Sequence, residues 1–118
     1  MYGLAIGTDV AGLEGRTLEQ VALGQNEVQL RLSSSASICI EGDFSVTPAG
    51  GVPTLYERPT DAAQALADLL GAAVAIAEVA EPGVLRLQLT DGTQVHVLDS
   101  NDHHESFQIR IGERLVVV

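Results

Sequence analysis

The sequence predicts an α+β domain: a duplicated antiparallel β-meander forming a curved sheet or partly open barrel of about eight strands, with one α-helix at about residues 60–70 between the two repeats. Three observations predict this class. Apolar and polar residues alternate in several short segments, which is the period of a half-buried strand. The pattern of residues 13–46 recurs at 69–109, and an Ala-rich segment separates the two copies.

The composition limits the chain to one domain, residues 1–118, with enough apolar side chains (46%) to form a core. Sixteen acidic residues against six basic ones give a formal charge of −10. This excess argues against a nucleic-acid binder held by phosphate contacts and favours a basic protein as partner. All six basic residues are arginines, so lysine-dependent Schiff-base and P-loop chemistry is excluded.

Cysteine usage and hydropathy indicate a cytoplasmic protein with no cofactor and no contact with a membrane. The lone Cys39 cannot form an internal disulfide, and we expect it to be a small structural residue on the face opposite Ile38 and Ile40. The first residues lack the basic segment of a signal peptide. The apolar run Leu69–Ala77 is about half the ~20 residues that a membrane-spanning helix needs.

The repeat is visible strand by strand. Residues 28–32 match 85–89, residues 38–40 match 95–97, and Phe44-x-Val46 matches Phe107-x-Ile109. Two copies are too few for a solenoid and predict two meanders that share one core. The Asp91-Gly92 dipeptide predicts a type I′ hairpin turn, whereas its counterpart at residues 33–36 is a looser turn. Residues 107–118 add two further strands around a turn at Gly112.

One helix is predicted between the copies. Thr60 or Asp61 can cap its start, Leu70 lies at its end, and Gly71 suits the position just after it. The preceding segment, Thr47–Pro59, holds three prolines and reads as a loop of about 13 residues. This loop is either a plain crossover between the meanders or a functional loop.

The densest polar cluster is residues 99–105, with His96 shortly before it. The residues that we predict to form the binding site are Asp99, Asp102, His103, His104, Glu105 and Glu57. The cluster is either a solvated hairpin loop or a metal site, and the latter requires His96, His104 and Glu105 to converge. Glu105 can accept backbone N–H groups or an arginine, or can act as a general base with a raised pKa.

A resemblance to a known family rests on three motifs: Leu69-Leu70-Gly71, Asp91-Gly92-Thr93 and Glu105-Ser106-Phe107. With them, residues 13–118 resemble the bacterial domain-of-unknown-function family 6188, in which Trp often stands where this chain has Phe107. The resemblance implies a small bacterial cytoplasmic protein and no catalytic residue. It also implies that some members act as immunity proteins beside toxins.

These observations favour a non-enzymatic protein-binding module, in its most specific form an immunity protein that neutralises a basic toxin. The widespread carboxylates either keep the chain soluble or steer such a partner to it. The alternative is a metal-binding protein or metal-dependent enzyme that uses His96, His103, His104 and Glu105. Either a monomer or a homodimer is compatible with the sequence.

Overall fold

Ten strands and one short helix make up the computed structural model, which describes residues 10–81, 83–98, 107–112 and 114–117. The strands are β1 (Leu18–Leu23), β2 (Val28–Leu32), β3 (Ala36–Ile40), β4 (Phe44–Thr47), β5 (Thr54–Tyr56), β6 (Val74–Glu81), β7 (Val84–Leu89), β8 (Gln94–Leu98), β9 (Phe107–Ile111) and β10 (Arg114–Val117). The helix α1 spans Ala63–Ala67, and 3₁₀ turns span Ala11–Leu13 and Pro59–Ala62.

The strands form two five-stranded sheets rather than one. Sheet 1 has the order β1-β2-β3-β9-β10, and sheet 2 has the order β5-β4-β8-β7-β6. Every neighbouring pair is antiparallel. The predicted antiparallel β architecture with a helix is therefore confirmed, but there are ten strands in two sheets in place of the predicted single sheet of about eight, and they do not close into a barrel. The chain crosses from β3 to β4 in the three residues Glu41–Asp43, so β4 joins the opposite sheet instead of extending the first.

The alternation of side chains explains why the two sheets face each other. In β2, Val28, Leu30 and Leu32 are buried while Gln29 and Arg31 point outward. The same inside–outside pattern runs through β7 and β8. The buried side chains of both sheets belong to one cluster, so the sheets share a single core. Burial of each leucine in such a core contributes about 1.5–3 kcal/mol relative to exposure.

A short antiparallel contact joins the two halves of the chain beside the core. The N–H of Leu18 donates to Ala72 O (2.8 Å), and the N–H of Val74 donates to Arg16 O (2.9 Å). Thr17 and Ala73 face each other between these bonds. The contact pairs the chain entering β1 with the chain entering β6, so it connects an edge of sheet 1 to an edge of sheet 2.

The two sheets have corresponding pairings. Leu30 faces Ile38 in sheet 1 as Leu87 faces Val95 in sheet 2. Counted from the edge strands β1 and β6, the fourth strand of each sheet comes from the other half of the chain: β9 lies beside β3, and β4 lies beside β8. These two edge strands each carry an irregularity near their start, between residues 18 and 20 in β1 and between 74 and 76 in β6.

The helix is shorter than predicted. A 3₁₀ turn occupies residues 59–62, α1 ends at Ala67, and no side chain caps either element. Asp61 instead accepts from the Arg58 guanidinium (3.3 Å). The helix α1 buries Leu66, the turn that follows it buries Leu69, and the chain leaves through Gly71 at φ +92°. No described helix is long and apolar enough to cross a membrane.

Two loop predictions also need correction. The segment predicted as a loop, Thr47–Pro59, contains the edge strand β5, which pairs with β4. The turn after β7 is not type I′, because Asp91 lacks the positive φ that this turn requires and only Gly92 has it (φ +90°). Gln88 pairs with Gln94, and Thr93 O accepts from Leu89 N, which leaves a three-residue connection ending in a left-handed glycine.

We predict that Leu30→Ala and Leu87→Ala destabilise the protein by similar amounts, about 2–5 kcal/mol each, because both leave a cavity between the sheets at corresponding places. Urea unfolding followed by circular dichroism measures the free energy of unfolding. Leu55→Ala is the control, since Leu55 is 56% exposed and its truncation should change stability little. A clear loss of unfolding free energy in one of these two variants, with no loss in the other, would contradict the shared core.

Candidate functional site

Three connections at one end of the molecule form a cleft of about 300 Å³. They are the β1–β2 turn, the β3–β4 connection, and the segment that follows β5. The side chains and backbone that line it are Gln25, Asn26, Glu41, Gly42, Glu57, Arg58, Pro59 and Thr60. We call this feature the acidic cleft, since Glu41 and Glu57 line it and Arg58 is its only described basic side chain.

Strand register explains why carboxylates meet there. Val28 pairs with Ile40, so the next residues outward, Glu27 and Glu41, flank the same end of the β2–β3 hairpin. Phe44 pairs with Tyr56, which likewise sets Asp43 beside Glu57. Gly24 N donates to Glu27 O (2.8 Å) and closes the β1–β2 turn. Four carboxylates therefore surround one end of the sandwich because two hairpins end there.

The single basic side chain does little to neutralise this end. Arg58 lies within 3.3 Å of Asp61, and both side chains are mostly exposed. Exposed ion pairs of this kind contribute about 0–1 kcal/mol, and the arginine is shared with a carboxylate outside the cleft. The field at the cleft is therefore negative and attracts cationic groups.

Beside the cleft, Glu27, Cys39 and Glu41 form a compact group. Their ligand atoms all lie within 4.8 Å of one another, and they are the described residues that could hold a metal ion together. The Cys39 thiol donates to Glu27 Oε2 (3.2 Å). Burial, this hydrogen bond and the negative charges of Glu27 and Glu41 raise the pKa of Cys39 from 9.0 to about 12.

This environment limits the chemistry of Cys39. At neutral pH the thiol stays protonated, whereas a nucleophilic cysteine reacts as the thiolate. Cys39 lies half-buried on the face opposite Ile38 and Ile40, as the strand pattern predicted. The Cys39 thiol donates its hydrogen bond to Glu27 and so orients that carboxylate. The same hydrogen bond does not activate Cys39 as a nucleophile, because it keeps the proton on sulfur.

Among the predicted binding residues, the structure describes Glu57, which lies in the acidic cleft. Asp99, Asp102, His103, His104 and Glu105 lie outside the described residues. The two described neighbours of that segment lie near the cleft: Leu98 N donates to Asp43 O (3.0 Å), and Phe107 pairs with Ile40.

His96 lies on the outer face of sheet 2, where it faces Arg86 on one side and Ser45 on the other. It does not belong to the group of described residues that could share a metal. The hypothesis that His96, His103, His104 and Glu105 bind metal therefore stays a prediction, since three of the four lie outside the described residues.

Comparison with known proteins gives one family. The protein-family model described as "Family of unknown function (DUF6188)" matches residues 10–118, which confirms the resemblance seen in the motifs. Comparison with curated proteins and with solved structures gave no match.

We predict that Glu27→Gln lowers the pKa of the Cys39 thiol, because it removes the nearest negative charge that opposes ionisation. Ultraviolet absorbance of the thiolate during a pH titration measures this pKa. Glu19→Gln, an equal charge change away from the thiol, should leave it unchanged. A Cys39 titration that is identical in the wild type and in Glu27→Gln would contradict the assigned environment.

The same shift makes stability depend on pH. The unfolded chain ionises Cys39 near its ordinary pKa of 9.0, while the folded chain resists ionisation up to about 12. The unfolded state therefore loses its proton first, and the free energy of unfolding should fall as the pH rises between these values. In Cys39→Ala, the fall in unfolding free energy that Cys39 causes between pH 9.0 and about 12 should be absent.

Proposed function

The chain belongs to this family of unknown function, and from its geometry we propose that it is a non-enzymatic binding module that docks a basic segment of a partner protein in the acidic cleft. The observation that carries the proposal is the convergence of Glu27, Glu41 and Glu57 on one end of the sandwich.

Charge and shape both support docking of a cationic segment. The net charge of −10 draws a basic partner towards the molecule over a distance of about one Debye length, ~8–10 Å at physiological salt. The cleft then selects where contact forms, because its carboxylates are exposed or half-buried on turns and accept hydrogen bonds from arginine or lysine. A protonated Cys39 supplies no nucleophile there, which fits binding better than covalent catalysis.

A finer form of the proposal names the partner. We propose that the basic protein is a toxin and that this chain neutralises it in the bacterial cytoplasm, as the family resemblance implies. Small acidic inhibitors associate quickly with basic enzymes through this electrostatic steering.

We also propose that the two halves, residues 13–46 and 69–109, are copies of one duplicated module. The corresponding strand orders of the two sheets support this, as do the matched pairs Leu30–Ile38 and Leu87–Val95. The glycines at residues 15 and 71 support it too: both have positive φ, and their N–H groups donate to Val74 O and Leu18 O across the contact between the halves.

To test docking, we would titrate the protein with a fluorescent arginine-rich peptide and follow anisotropy. We expect saturable binding that weakens as salt rises, and a loss of about fivefold in affinity for the double variant Glu41→Gln/Glu57→Gln. The matched control, Asp68→Asn/Glu81→Gln, removes the same charge from exposed positions outside the cleft. Equal affinity of both double variants would refute a site at the cleft.

To test the toxin hypothesis, we would express the gene that neighbours this chain's gene, alone and together with it. If the neighbour encodes a basic toxin, growth should stop when it is expressed alone and resume on co-expression with the wild-type chain. The Glu41→Gln/Glu57→Gln variant should protect less than the wild type. A neighbour without toxicity, or arrest that the wild-type chain does not relieve, would contradict this finer form.

A further inference from the structure

The outer face of sheet 1 carries two arginines on either side of a serine. Arg31 on β2 pairs with Ser37 on β3, and Ser37 pairs with Arg110 on β9, so the three residues form one row across neighbouring strands. Side chains of residues paired in this way point to the same face. A surface depression of about 500 Å³ lies over the row, which we call the arginine row.

Strand spacing brings both guanidinium groups within reach of one ligand. Adjacent strands lie about 4.8 Å apart, so the backbones of Arg31 and Arg110 are separated by about 10 Å across β3. Ser37 between them is small and half-buried, which leaves the depression open above its hydroxyl. An oxyanion held there could accept from both arginines and from Ser37.

Within the described part of the chain, Arg31 and Arg110 lack the partners that Arg16, Arg58 and Arg86 have. Arg16 donates to the carbonyls of Gly12, Ser33 and Ser34 and holds a turn. Arg58 pairs with Asp61, and Arg86 pairs with Glu78.

Among the described residues, the acceptor for Arg31 is the neutral Gln29 Oε1, at 3.2 Å. Within the described part of the chain, neither Arg31 nor Arg110 has a carboxylate within 4.0 Å. Among the described residues that line the depression, Arg31 and Arg110 stand against one carboxylate, that of Glu19, so the positive charges outnumber the negative one there.

Comparison of the two sheets shows that the fold does not require this row. The corresponding row of sheet 2 consists of Gln88, Gln94 and Thr47, which pair in the same way across β7, β8 and β4. That row carries no charge, although its sheet has the corresponding strand order and belongs to the same core. Two arginines that packing does not demand therefore point to a ligand.

We propose that the arginine row binds a phosphate group carried by a small molecule. Two guanidinium groups match the two negative charges of a phosphate dianion, and each can present paired N–H donors to its oxygens. The Ser37 hydroxyl supplies a neutral donor on the floor of the depression. Glu19 also lines the depression and repels an anion, so the proposal predicts that removing its charge strengthens binding.

The experiment is a titration of the isotopically labelled protein with inorganic phosphate at constant ionic strength, followed by amide chemical shifts. We expect saturable shifts centred on Ser37 and Arg110. Arg31→Gln and Arg110→Gln should each weaken binding about tenfold, the loss of one charge-assisted contact. Arg58→Gln, an arginine of the acidic cleft, is the matched control and should bind as the wild type does.

Two further arms sharpen the test. Glu19→Gln should bind phosphate more tightly than the wild type, which a purely structural role for the row would not produce. Acetate, a monoanion, should bind more weakly than phosphate. The proposal fails if phosphate causes no saturable shift, if both arginine variants bind with wild-type affinity, or if acetate binds as tightly as phosphate.

Discussion

The whole architecture depends on the three residues Glu41–Asp43, which carry the chain from β3 in one sheet to β4 in the other. Because β4 then pairs with β8, it completes a sheet built mainly by the second half of the chain. β9 does the reverse and pairs with β3. Neither sheet can form its full set of backbone hydrogen bonds from one half alone, and the apolar faces that these strands complete are the walls of the common core.

Local sequence predicted the strands better than their arrangement. The alternation of Leu85, Leu87 and Leu89 identifies both a strand and its buried face, since these properties depend only on neighbouring residues. Membership of a sheet is a different property. The apolar pattern of Phe44-x-Val46 shows which face is buried but not which strand lies alongside, so one curved sheet and two facing sheets have the same local pattern. The Ala-rich segment led to a predicted helix that was too long. Helix propensity does not show how short a helix can be and still allow Leu66 and Leu69 to be buried.

The candidate sites also divide into a part that local sequence can predict and a part that depends on the pairing of distant strands. Glu57 was predicted to bind a ligand and lies in the acidic cleft, but Glu27 and Glu41 were missed. Their proximity follows from the register of the β2–β3 hairpin, in which Val28 faces Ile40, so a register assigned from the turn at residues 33–35 would have found them. The arginine row could not be found in that way. Ser37 and Arg110 meet through the pairing of β3 with β9, strands far apart in sequence, and no local pattern encodes that contact.

The exchange of strands between the sheets also affects how the chain tolerates being cut. The exposed loop between β4 and β5, residues 48–53, packs little of itself into the core, with Val52 77% exposed. A protease that cleaved there would produce two fragments, each still supplying a strand to the sheet of the other. The backbone hydrogen bonds of these exchanged strands would hold the two fragments together. This makes the loop a natural place to divide the polypeptide into complementing halves.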